Sequence, residues 1–207
     1  MKLENISGSL NRLQRLALLL VAAVTLSACS KTVQWEEQVL LNTGETIWIS
    51  KEVRYTIKGQ PGNPADMGYL PDHEEITSFK YGGRSYTYDG DASLLVLAIS
   101  PQKLPVLLAA AEDGGWYRRH NYKCVNPYYV QFVPDGSGKQ WTWPDKIELW
   151  TYNLPTNLLV HRDHPSDVKK RYTMADKATQ GFWRDLRTLY IQKVDPQFIS
   201  DTCKGSN

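Results

Sequence analysis

From Thr46 to Lys58 the chain alternates. Ile47, Ile49, Val53, Tyr55 and Ile57 fall on one side, and Thr46, Ser50, Glu52, Arg54 and Thr56 on the other. Successive strand side chains point to opposite faces, so this pattern marks a half-buried antiparallel strand. Lys51 breaks the apolar face and Trp48 breaks the polar one. A bulge near 50–52 is expected to account for Lys51. Trp35 to Leu41 is the expected hairpin partner, joined through Asn42-Thr43-Gly44. A second hairpin is expected around Gly82-Gly83, pairing Thr77 with Tyr88, Phe79 with Tyr86 and Tyr81 with Arg84. Its aromatic residues then share one face.

Ser93 to Ile99 and Pro105 to Ala111 are short apolar runs between turn signals, as in strands buried on both faces; a helix is the other reading for the Ala-rich run. Trp116–Cys124, Tyr128–Val133, Lys139–Trp143 and Lys146–Tyr152 follow, separated by Asn126-Pro127, Asp135-Gly136-Ser137-Gly138 and Pro144-Asp145. Short strands at this spacing predict a mainly β fold, an antiparallel sandwich or barrel-like domain of about 8–10 strands. Gly59 to Asp72, with three Pro and three Gly, reads as a long surface loop of the kind that often carries function. Thr179 to Val194 places Phe182, Trp183, Leu186, Leu189, Tyr190 and Val194 at helical spacing, which predicts a C-terminal helix, although 188–191 also reads as strand.

The N-terminus is of another kind. A polar, positive segment over 1–15 precedes an eleven-residue apolar run, Leu16 to Leu26. About 20 residues are needed for a helix to span a bilayer, so the run matches the core of a signal peptide. Leu26-Ser27-Ala28-Cys29 then resembles the lipobox of bacterial lipoproteins. The resemblance implies cleavage of 1–28, a thioether-linked lipid on Cys29 and acylation of its new amine. Two or more acyl chains give stable anchoring. In that family Asp after the Cys favours the inner membrane. Ser30 stands here, which implies the periplasmic face of the outer membrane. Residues 29–34 would be a lipidated tether and 35–207 a single periplasmic domain. Taking the three basic and one acidic residues of 1–28 from the chain's 24 and 22 leaves 21 of each, so the domain is neutral. The longest basic run is Lys169-Lys170-Arg171, so no surface suited to nucleic acid is indicated.

With Cys29 lipidated, Cys124 and Cys203 remain as an even pair in an oxidising compartment. A disulfide closing a loop of about 80 residues is expected, with free thiols as the other reading. Trp35 to Gly44 also resembles the opening of small uncharacterised Gram-negative lipoproteins. That implies the compartment and the first hairpin, and nothing about chemistry.

No cofactor or nucleophile motif appears. Ser166-Asp167-Val168-Lys169 matches S-x-x-K without its companions S-D-N and K-T-G. His161 and His164, with Asp163 or Asp167 and a third ligand from His73, could form a metal site. A solvated charged loop is the plainer reading. Trp48, Trp141 and Trp143 could stack on sugars, against the alternative that most of these rings are core. The sequence thus points to a membrane-anchored, non-enzymatic protein-binding or structural module of the envelope. A glycan-binding module and a metal-dependent hydrolase are the alternatives.

Overall fold

The computed structural model describes residues 30–60, 63–110, 120, 127–144, 146–160, 165–166, 168–179 and 193–199. Nine strands form two sheets among them. Strands β1 (Ser30–Leu40), β2 (Thr46–Gln60), β3 (Asn63–Tyr81), β4 (Arg84–Gly90) and β9 (Arg171–Tyr172) make one, in the order β4-β3-β2-β1-β9. Strands β5 (Leu94–Ile99), β6 (Pro105–Ala110), β7 (Tyr129–Pro134) and β8 (Trp141–Thr142) make the other, in that order. All pairs are antiparallel except the short β1–β9 contact. The sheets do not close into a barrel; the fold is a sandwich.

Both expected hairpins form. Phe79 faces Tyr86, Tyr81 faces Arg84 and Thr77 faces Tyr88, as the Gly-Gly turn dictates. Gly82 and Gly83 both have positive φ, 57° and 76°, the backbone that a two-residue hairpin turn requires and other residues resist. β5 and β6 are buried along almost their whole length. One face of this sheet meets Val39, Ile49, Phe79, Tyr86 and Tyr88 across the sandwich. Its other face is covered by Ile147, Val160 and Val194.

Several expectations change. Residues 30–34, read as tether, are the first part of β1, and Ser30 pairs with Thr56. Gly59 to Asp72 is no loop over most of its length: β2 and β3 continue as a paired arm. β4 pairs with β3 only from Glu75 onward, which leaves 63–74 at the sheet edge, where prolines are tolerated. Irregularities in register fall between Val53 and Tyr55 and between Gly59 and Gln60, away from 50–52. Lys146–Tyr152 is not a strand. Leu149–Thr151 is a 3₁₀ turn, closed by the Thr151 hydroxyl donating to the Glu148 carbonyl at 2.6 Å. The helix α1 is Met174–Thr179. Thr173 and Asp176 cap it reciprocally: the Thr173 amide donates to the carboxylate at 2.8 Å and the Asp176 amide to the hydroxyl at 3.2 Å. Of the helix expected over 179–194, residues 180–192 lie outside the described residues. Lys193 is extended, bridged to Pro155.

Lys51 needs no bulge. It follows the alternation and points inward, fully buried. Its ammonium meets Glu75 at 2.7 Å and donates to the Leu159 carbonyl at 2.9 Å. Beside it, Lys177 of α1 meets Glu37 at 2.6 Å and donates to the carbonyls of Gln38 and Asn157. Glu37 accepts the Leu159 amide with both oxygens at 3.1 Å. Burial pushes the Lys177 ammonium down from its ordinary range; Glu37 opposes that and nearby Lys51 adds to it.

The segment held by these charges also closes the open edge of β5. Asn157 accepts the Leu97 amide at 2.8 Å and donates to the Leu97 carbonyl at 2.8 Å. Asn42 does the same for Ile99. Each side-chain amide thus replaces one residue of a neighbouring strand, which satisfies backbone groups that would otherwise be buried without partners.

A buried pair that loses one member leaves an uncompensated charge, at a cost of about 3–5 kcal/mol. Urea unfolding of Lys51→Met should show a loss of that size, largely recovered in Lys51→Met/Glu75→Leu. A single variant as stable as the parent would contradict the assignment.

Candidate functional site: a tryptophan-lined cleft at the sheet seam

β4 and β8 are the facing edges of the two sheets, and the chain stitches them together. The Thr87 amide donates to the Gly138 carbonyl at 3.0 Å, and the Trp141 indole donates to the Thr87 carbonyl at 2.7 Å. Gly138 is required at this approach: its φ is +73°, and a Cβ there would lie 2.8 Å from the Ser85 carbonyl oxygen. The β7–β8 loop that carries it is held by Asp135, whose carboxylate accepts from the Ser137 hydroxyl and from the amides of Ser137, Gly138 and Gln140. Those hydrogen bonds, the Ser137 hydroxyl first, lower the Asp135 pKa.

Beside this seam opens a cleft of about 430 Å³. Trp141 forms part of its wall, fixed by ring contacts to Phe79, Tyr86 and Tyr88 at 6.1–6.5 Å between centroids. Trp143 is the more exposed ring, 45% accessible, and it meets Phe132 and His120 at steep interplanar angles. Polar groups complete the lining: Asp89, Asp91, His120, Lys139 and Gln140. His120 Nε2 lies 3.1 Å from an Asp91 oxygen, and both side chains remain partly open to solvent. The cleft therefore offers an apolar flat face next to hydrogen-bond donors and acceptors of both signs.

The structure brings Trp141 and Trp143 together and leaves Trp48 elsewhere. Trp48 stands on the outer face of β2, covered by the Arg171 guanidinium 4.0 Å from its ring centroid, and Arg171 in turn pairs with Glu36 at 3.2 Å. His73 falls within β3, placed by its backbone. Cys29, Cys124, Cys203, His161 and His164 lie outside the described residues. Among the described residues no group of three metal-binding side chains occurs. His120 and Asp91 carry no motif or spacing signal of their own. They are 29 positions apart, and no pattern in one sequence links them.

Tyr88 lies under the cleft. Burial chiefly raises its hydroxyl pKa above the ordinary value of 10, and Glu75, Asp91 and Asp89 add to the effect. The folded protein then keeps a proton that the unfolded chain loses, so this contribution is intact below pH 10 and lost above it. Stability measured by urea from pH 9 to 11 should fall faster in the parent than in Tyr88→Phe, by about 1 kcal/mol per pH unit beyond pH 10. Equal slopes would show that Tyr88 titrates as it does in water. No protein-family model, curated protein or solved structure matches this chain.

Proposed function

We propose that this chain is a lipid-anchored binding module of the Gram-negative envelope, held at the periplasmic face of the outer membrane through Cys29. Its ligand is a glycan taken up by the Trp143 cleft. The observation that carries this reading is the pairing of an exposed indole face with Asp89, Asp91, Lys139 and Gln140 in one cleft. A sugar ring has an apolar C–H face that stacks on an aromatic ring and a rim of hydroxyls that both donate and accept. Trp141 supplies rigidity, because its indole is already committed to Thr87. Trp143 supplies the platform. The cleft volume lies within the range of small-molecule sites.

The lipobox-like Leu26-Ser27-Ala28-Cys29 supports the compartment, where peptidoglycan and lipopolysaccharide are the abundant saccharides. The Cys124–Cys203 disulfide belongs to the same proposal, as a tie that an oxidising compartment permits. A partner protein of the envelope remains compatible with a module of this kind, provided that it leaves the cleft open.

The test is co-sedimentation of the purified domain with peptidoglycan sacculi and with lipopolysaccharide. The parent should be retained on at least one of them. Trp143→Ala should lose most of that retention while still unfolding in one cooperative urea transition, at a lower midpoint because the ring packs on Phe132 and His120. No retention of the parent, or equal retention of both proteins, would refute the glycan reading.

A further inference from the structure

We infer that the paired arm of β2 and β3 beyond Thr56 rests in the headgroup layer of the bilayer that holds Cys29. This rests on the reading of Cys29 as the lipidated residue. Ser30 pairs with Thr56, so the start of β1 lies level with that point of β2. β2 then continues through 57–60, with Ile57 opposite Tyr69, Lys58 opposite Gly68 and Gly59 opposite Met67. Four more strand residues carry the arm about 13 Å past Ser30. Cys29 is the next residue before Ser30 and can stand no more than about 4 Å from it. A membrane surface that receives the acyl chains of Cys29 therefore meets the arm as well. A bilayer exceeds its hydrocarbon core by about 5–8 Å on each side, so an arm of this length crosses much of the headgroup layer.

The sequence of the arm suits that layer. From 57 to 69 the charged residues are Lys58 and Asp66, which cancel. Two prolines, Pro61 and Pro64, bring no amide donor, which removes two groups that a poorly hydrated layer would leave unsatisfied. The dense charge of this strand, Asp72-His73-Glu74-Glu75, comes only after Leu70, which is the residue level with Thr56 and hence with Ser30. Charge is thus sorted along β3, sparse beyond the anchor level and concentrated on the domain side. The β1–β2 turn at 41–45 lies at the opposite end of the sheet, ten residues of β1 away from Ser30.

The experiment uses the full acylated chain in phosphatidylethanolamine–phosphatidylglycerol vesicles. A photo-crosslinking residue is placed at position 66 in one protein and at position 43, in the distal turn, in another. Mass spectrometry reads both Cys29 acylation and the adducts formed on irradiation. Lipid adducts should form several-fold more at 66 than at 43. Equal lipid adducts at the two positions with Cys29 acylated, or protein adducts replacing lipid ones at 66 in cell membranes, would overturn the inference and leave the anchor standing. An unacylated Cys29 would remove the anchor and this inference with it. Matching thermal unfolding of both labelled proteins establishes that folding is not the cause.

Discussion

Four charged side chains buried against the inner face of β1–β3 decide how the rest of the chain can pack. Glu37, Lys51, Glu75 and Lys177 are each at most 7% exposed. Charges so placed must be paired and hydrogen-bonded, or they destabilise the fold by several kcal/mol. Three strands and one helix supply the pairs, and the segment 157–159 supplies further donors and acceptors. The constraint thereby acts on backbone as well as on side chains. The segment can sit in one place only, and from there Asn157 completes the edge of β5. Apolar clusters lie on both sides of the charged patch, one between the sheets and one around Trp35, Tyr55 and Tyr172. Hydrophobic burial supplies the larger driving force, but it is not directional. The charges and amides give it register.

The cleft lies where the two sheets meet. Its walls come from the last residues of β4 on one sheet and from β7, β8 and their loop on the other. Neither sheet could make it alone. The seam is fixed by two hydrogen bonds at Thr87 and by a glycine that lets the loop approach β4. A cleft built in this way is fixed beneath by the seam and open above, so a ligand that stacks in it would need little ordering of the protein.

Much of the local structure was legible in the residues. The Gly82-Gly83 turn and the alternating aromatics determined the β3–β4 register in full, because turn and pattern are independent signals of the same pairing. The doubly buried strands at 94–99 and 105–110 showed as continuous apolar runs. What misled was local reasoning about residues whose partners are distant in sequence. Lys51 looked like a break in its strand because nothing nearby could neutralise it; its partners are Glu75 and a carbonyl 108 positions away. Lys177 and Glu37 are 140 positions apart, and no pattern in one sequence links them. The prolines and glycines of 59–72 argued for a loop, since their tolerance at a sheet edge depends on where β4 starts pairing, which is a property of the fold. The cleft was half visible. Trp141 and Trp143 were singled out as a pair, but the spacing did not show that one ring would be half-buried and the other exposed, or that His120 and Asp91 would stand beside them.

Amide hydrogen exchange tests most directly whether the 157–159 segment is an integral part of the core. If the charged patch and Asn157 set the packing, the amides of Leu97 and Leu159 exchange only with global unfolding, as slowly as those at the centre of β2, and both accelerate together in Asn157→Ala. If these two amides in the parent exchange through a local opening, well ahead of β2, then the segment is merely docked on a fold that is determined elsewhere.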